Sequence, residues 1–549
     1  MKLEFVKKLV GAAAVIAGLA AQSDARAAKG EACAGVRVAR TIRPEGTGFG
    51  FNPKHFTYRP LNDDYEVTLN GVKAEVRASR ESRWPFNRIW PGRQRPLDQT
   101  ERASYLAFEG TGPVSVTVRP KGQFKGAVVR PLSAGVRPVV RDGTVSFTLA
   151  TNGYYVCEVD GTARALQLFY ERPREFPERD RATRHYGPGM HVVGEVFLRD
   201  HDRIYVDRDA IVFGCFKGVG VRDVRIFGHG VIDGRAQERV FEGCYSKLQS
   251  SCVRFYDSSD VVIDGPILMD SPSWVCCFFN CEDVDVRHVK VVGQWRYNTD
   301  GIDVCNSRRV RISDSYVRSF DDTISIKGVP PYRDQAVEDV TVERCVLWCQ
   351  WGKTLEPGVE TYASAFRRLV FRDCDLIHND VAAINVSAGG STVVEDVLFE
   401  NLRVELQSDT PVGVLQEEDG SAYPSSPGRK TPMLVKFDNW HWANPCDAEY
   451  PRLAGMRNVR VRNLRVFADE GVGKPLIKVW SSGPQAGLQM FGPYEGIVFD
   501  GIFVNGRPVG KSDLTLEVNM PIEMVGGALS VDSPIRNVRK CTGSPILKD

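Results

Sequence analysis

From about residue 260 to residue 504 the chain repeats a six-residue unit, apolar-x-polar-x-x-apolar. The unit opens at Ile263, Val286, Ile312, Val342, Phe371, Phe399, Val461 and Phe499. The first six openings are 23, 26, 30, 29 and 28 residues apart, which is the length of one coil of three short strands and their turns. No helical period competes with this spacing. Each coil has an apolar face that only a neighbouring coil can cover, so the pattern predicts a right-handed parallel β-helix.

Ahead of the repeat, between residues 29 and 173, apolar and polar residues alternate with period two, most clearly over 65–69, 114–118, 145–149 and 166–169. Asn70-Gly71, Asp142-Gly143 and Asp160-Gly161 supply turn signals between these runs. Alternation with such turns predicts a small antiparallel β-sandwich. Residues 174–189 are rich in Arg, Pro and Glu and have almost nothing apolar to bury, so they read as a linker. Residues 190–549 then form the β-helix domain of an all-β chain.

The first 28 residues read as an export signal. Lys2, Lys7 and Lys8 precede an Ala-rich apolar stretch over 9–21, and Ala25-Arg26-Ala27 has the small-x-small pattern of a cleavage site. The expected location is therefore secreted or periplasmic. No later apolar run is long enough to cross a bilayer, so no membrane insertion is expected. The 549 residues carry 71 Lys and Arg against 69 Asp and Glu, a balance that argues against a basic nucleic-acid surface. An oxidising compartment would let some of the 14 cysteines form disulfides. Cys345 and Cys374 each lie three residues after the opening of their unit and should stack, either as a disulfide or as an inward ladder.

Candidate chemistry is concentrated in two consecutive coils. Residues 297–304 read Tyr-Asn-Thr-Asp-Gly-Ile-Asp-Val, and 319–328 read Ser-Phe-Asp-Asp-Thr-Ile-Ser-Ile-Lys-Gly. Aligning the inward pairs Ile302/Val304 and Ile324/Ile326 sets Asp300 over Asp322, with Asp321 one residue earlier. Crowded carboxylates raise at least one pKa, and a raised acid beside an ionised base is the requirement for glycosidic cleavage. Trp295 and Tyr297 flank Asn298, Trp274 lies one coil below, and Trp348 and Trp351 lie one coil beyond, so an aromatic-lined sugar cleft is expected. Glu356 falls two coils on from Asp303 in the same register and reads either as a sugar contact or, with slight preference, as a solvated charge.

Asn298-Thr299-Asp300-Gly301, followed by Asp321-Asp322 and then Ile324, Ile326, Lys327 and Gly328, resembles the polygalacturonase clan of glycoside hydrolases, including its dextranase and isopullulanase family. The resemblance covers roughly residues 186–504, and the leading sandwich is similar to the domain that precedes the β-helix in the dextranase branch. It implies an inverting hydrolase without metal or other cofactor. Asp321 would be the general acid, and Asp300 and Asp322 would activate water. The candidate substrate contacts at the site are Asn298, Asp303, Lys327, Lys353, Glu356, Trp295, Tyr297, Trp274 and Trp351.

Two departures shift the expected substrate. Pectin-cutting members carry Gly-His-Gly one coil after the Asp pair, whereas this chain has Trp351-Gly352-Lys353 there. Gly228-His229-Gly230 lies about three coils upstream and reads as a turn. Those members also carry an Arg-x-Lys carboxylate clamp, where this chain has Ala382-Ala383-Ile384-Asn385. The expected substrate is therefore a neutral poly- or oligosaccharide such as a dextran-like α-glucan, with a pectic uronate as the alternative that Lys327 and Lys353 keep open. A non-catalytic carbohydrate-binding β-helix and a calcium-dependent lyase are the rival classes. Residues 411–432 are expected to shape one end of the cleft.

Overall fold

The computed structural model describes residues 35–38, 61–82, 100–240, 243–390, 392–408, 433–439, 455–480 and 494–519, and the backbone of the strands at 414–416, 422–424, 522–525 and 528–533. The export segment lies outside these residues, as does most of 411–432.

The leading region is two small sheets. One orders Val72–Ala74, Tyr65–Leu69, Val114–Pro120, Thr144–Leu149 and Val139–Arg141, antiparallel throughout. Asn70 and Gly71 both have positive φ (49° and 80°), as do Asp142 and Gly143 (50° and 69°), which gives each two-residue hairpin the backbone its strand twist requires. The second sheet holds Val36–Val38, Arg77–Ser82, Thr100–Gly110, Leu166–Glu171, Gly153–Val159 and Ala127–Arg130. Its centre departs from the expected antiparallel pattern, because Thr100–Gly110 and Leu166–Glu171 pair in parallel. Val67, Val116, Val118, Val145 and Leu168 fill the space between the sheets.

From Arg184–Tyr186 onward the strands enter a single 32-stranded sheet, in which most strands pair in parallel with the strand one coil later. This is a right-handed parallel β-helix. Val286, Ile312, Val342, Phe371, Phe399 and Val461 form one continuous inward column, with Phe371 and Phe399 stacked at 4.9 Å. The polar third position of the repeat has a backbone cause. Gly265, His288, Asp314, Arg344, Asp373, Asn401, Asn463 and Gly501 all lie in the left-handed region, with φ between 49° and 99°. The corner of each coil needs that conformation, which Gly, Asn and Asp adopt at the least cost.

Cys345 and Cys374 stack as an inward ladder, the Cys345 backbone N–H donating to Cys374 Sγ at 3.5 Å. All eleven cysteines among the described residues are free thiols, so the disulfides expected from export are absent from this part of the chain. In a long coil stack, cohesion comes from continuous apolar columns rather than cross-links.

The sandwich docks on one flank of the β-helix. Tyr105, Tyr154 and Phe169 pack with Phe213, Tyr316 and Trp348 in one buried cluster. Around it sit buried charges: Arg130 Nε is 2.8 Å from Glu158 and its Nη1 meets Glu405, while His378 also bonds Glu158. Gly228-His229-Gly230 belongs to this junction. His229 Nε2 is 3.0 Å from Glu109 of the sandwich, and a Cβ on Gly228 would stand 2.0 Å from the Val206 carbonyl.

Candidate active site

The register of the two key coils is as the apolar pairs require: Ile302 lies against Ile324 and Val304 against Ile326. Just before these strands the Gly301 N–H donates to the Asp322 carbonyl at 2.8 Å, which brings Asp300 beside Asp322. Gly301 cannot be larger, because a Cβ there would lie 2.4 Å from the Thr323 carbonyl oxygen. Asp303, Ser325 and Glu356 follow one another up a single outward column.

One ammonium organises the cluster. Lys327 Nζ lies 3.3 Å from Asp300, 3.8 Å from Asp322, 3.9 Å from Asp303 and 3.8 Å from Glu360. Lys353 Nζ lies 3.1 Å from Glu356 and 3.5 Å from Asp322, and its backbone N–H donates to Asp322 Oδ1 at 2.8 Å. Asp321 is held differently. Its Oδ1 accepts from the Asp322 N–H at 3.0 Å and its Oδ2 from Asn298 Nδ2 at 3.3 Å, with no lysine within ion-pairing distance among the described residues.

This asymmetry separates two adjacent carboxyl groups. Burial, reinforced by the Asp322 charge, pushes Asp321 up to about 7. Burial acts on Asp322 in the same direction, but Lys353 and Lys327 overcome it and draw Asp322 down to about 2. Asp300 is pushed well above the usual carboxylate range by burial, with Lys327 opposing, and Asp303 rises to about 8 for the same reasons. Burial and the Asp322 charge also raise Glu356 strongly. Glu356 is fully buried and paired with Lys353, which corrects the expectation of a solvated charge.

The expected aromatic lining is brought to the site only in part. Tyr297 and Trp351 lie at its rim, 5.3 Å apart, with Phe320 beneath. Trp274 is buried below Lys327, whose Nζ sits 4.5 Å from the indole. Trp295 does not reach the site surface. It donates to Asp270 at 2.9 Å and lies against Arg80 of the sandwich, in the domain junction. Trp348 is likewise core, with Arg318 3.8 Å above its ring.

Several residues at the site escape repeat-based alignment. Between the pairs Ile326/Pro357 and Gly328/Thr361 the strand Lys353–Thr361 carries extra residues, and this irregularity delivers Glu360. Tyr245, from the connection after the strand Val231–Asp233, donates its hydroxyl to Glu360. Arg239 bonds Asn298 Oδ1 at 2.7 Å and the Tyr297 carbonyl at 2.6 Å. Gly352 had a legible signal, a glycine in the coil stacked on the Asp pair. A Cβ there would stand 2.3 Å from Asp322 Oδ1 and 2.7 Å from Asp321 Oδ1. Among the described residues no group of His, Cys, Asp and Glu is placed to hold a metal ion.

Fold and site together define a right-handed parallel β-helix protein with a crowded carboxylate cluster on two consecutive coils. Residues 205–419 match the sequence model of Glycosyl hydrolases family 28. A polygalacturonase of Cryptomeria japonica is 28% identical over 210 residues, 35% of this chain and 38% of that protein. Rhamnogalacturonase B of Aspergillus niger is 26% identical over 149 residues, 27% of this chain and 25% of that protein. The chain thus spans well under two thirds of the length of these relatives. Dex49A from Penicillium minioluteum shares the fold, with a TM-score of 0.53 at 13% identity over 84% of this chain and 96% of that one.

Proposed function

We propose that this protein is a glycoside hydrolase that cleaves pectic polysaccharides by single displacement with inversion. The observation that carries the reading is the split between two neighbouring carboxyl groups, Asp321 at about 7 and Asp322 at about 2. A proton stays on one and leaves the other, which is the division of labour of an acid and a base at one glycosidic bond. Asp321, partly exposed at the site's edge, protonates the departing oxygen. Asp322, held ionised by Lys353 and Lys327, activates the water. Asp300, across Lys327 from Asp322, completes the water's surroundings. Asn298 orients Asp321 through its amide, and Tyr297 and Trp351 offer flat faces to a sugar ring.

The names of the matched relatives favour a pectic uronate over the neutral α-glucan expected from the missing Arg-x-Lys clamp. The fold shared with Dex49A bears on architecture alone. Lys353, with 13% of its side chain accessible, is the cation available to a substrate carboxylate in place of that clamp. The space between Asp300, Asp303 and Asp322 is taken by a lysine ammonium rather than left for calcium, which weighs against the lyase. A matched acid and base also weigh against a purely binding β-helix. Export through residues 1–28 is part of this reading, and N-terminal sequencing of exported protein checks it.

The test is release of reducing ends from polygalacturonate, rhamnogalacturonan and dextran, with the first-formed anomer followed by NMR. Hydrolysis of a pectic substrate with inverted product, lost in Asp321→Asn, is expected. Activity on dextran alone, or a retained anomer, refutes it.

A further inference from the structure

We infer that the site acts on chain ends and releases one sugar at a time, because a wall joined by Tyr245 and Glu360 closes the groove immediately beside the carboxylates. The inference rests on the hydrolase reading above and adds which bonds in a chain are reached.

Residues 244–251, in the connection after the strand Val231–Asp233, lie over the outward side chains of the two coils preceding Asp300 and are pinned there. Arg254 bonds the Cys244 carbonyl, Tyr256 donates to the Ser246 carbonyl at 2.8 Å, Lys217 donates to the Lys247 carbonyl at 3.1 Å, and Ser251 Oγ lies 3.6 Å from Cys277 Sγ. Beneath them Arg254, Tyr256 and Cys277 have no accessible surface. A polysaccharide cannot lie along those coils.

The wall ends against the reacting groups. The Tyr245 ring meets Trp274 edge-on at 5.8 Å, and its hydroxyl donates to Glu360 of the strand Lys353–Thr361. Glu360 and Trp274 both border Lys327, at 3.8 and 4.5 Å, and Lys327 borders Asp300 at 3.3 Å. A single lysine head group therefore separates the wall from the catalytic carboxylates. Adjacent coils are ~4.8 Å apart, so the walled side leaves no length for a second ring. The partly accessible groups at the site are Asp321, Asn298, Tyr297, Trp351, Lys353 and Glu360. A chain enters by its end, and the sugar past the scissile bond is released alone. The irregularity in Lys353–Thr361 that delivers Glu360 makes it a specificity-determining residue.

The experiment follows the products of the full chain acting on polygalacturonate and on rhamnogalacturonan, by anion-exchange chromatography and viscometry from the earliest times. The expected result is a single-sugar product from the outset, with viscosity falling only after most reducing ends have appeared. A ladder of oligomers with early loss of viscosity overturns the chain-end inference and leaves the hydrolase reading standing. No product from either polymer overturns both. In Tyr245→Ala, which opens the bridge, the share of products longer than one sugar is expected to rise. An unchanged product length in an active Tyr245→Ala enzyme shows that the bridge does not set it and overturns its assigned role.

Discussion

Gly352→Ala probes how closely the Asp pair is seated. Gly352 is outside the left-handed region, so its backbone accepts alanine without strain. The new Cβ, however, would stand 2.3 Å from Asp322 Oδ1, 2.6 Å from the Asp322 nitrogen and 2.7 Å from Asp321 Oδ1. To reach ordinary contact at 3.4 Å, the Asp322 carboxylate must retreat by about 1 Å and the Asp322 backbone nitrogen by somewhat less. The retreat breaks its bond from the Lys353 N–H and shifts the base relative to the acid. Misplacement by about 1 Å costs roughly 10²-fold in rate, whereas one added methyl in a packed site costs about 1–3 kcal/mol of stability. Gly352→Ala should therefore fold, lose roughly 10²-fold in kcat and change KM little. Steady-state kinetics on a pectic substrate, paired with urea denaturation, separates the two effects. Gly473→Ala, where nothing lies within 4 Å of the added atom, serves as the neutral control. Wild-type kcat in folded Gly352→Ala would refute the claim that this glycine seats the acid and base.

The rate should fall as pH rises through about 7, because Asp321 then loses the proton it donates, while Asp322 stays ionised down to about 2. A kcat that stays level well past that point in a pH-rate profile refutes the acid assignment. Asp321→Asn should cost roughly 10²–10⁴-fold in kcat with the fold retained by circular dichroism, since only proton transfer is removed. Arg130→Ala should cost about 3–5 kcal/mol in urea denaturation, because Glu158 and Glu405 lose a buried partner. The sign with pH follows from Glu158, which His378 and Arg130 draw down to about 2 against its burial. Its contribution is present above the unfolded carboxylate value and is lost as pH falls, so Arg130→Ala should unfold at a higher pH on acidification. Trp351→Ala should raise KM roughly 10-fold, about 1.4 kcal/mol of binding, with a smaller effect on kcat, as read from initial rates.

The coil architecture is local information repeated, and for that reason it is legible in the sequence. An apolar residue, a left-handed corner and a second apolar residue recur because every coil must turn at the same place and bury the same face. Counting from Ile302 and Ile324 therefore suffices to bring Asp300 to Asp322. Asn70-Gly71 and Asp142-Gly143 likewise announce their turns through the φ values that only such residues adopt easily. Tertiary structure decided what no period encodes. Trp295 and Trp348 share the sequence surroundings of Trp351, yet the docked sandwich covers the first two and leaves the third at the rim. Glu360 arrives through a break in register, and Tyr245 crosses more than a hundred residues to meet it. The split between Asp321 and Asp322 also depends on where two lysine head groups come to rest. Electrostatic free energy depends on distances through space in a poorly screened interior, and spacing along the chain does not report those distances.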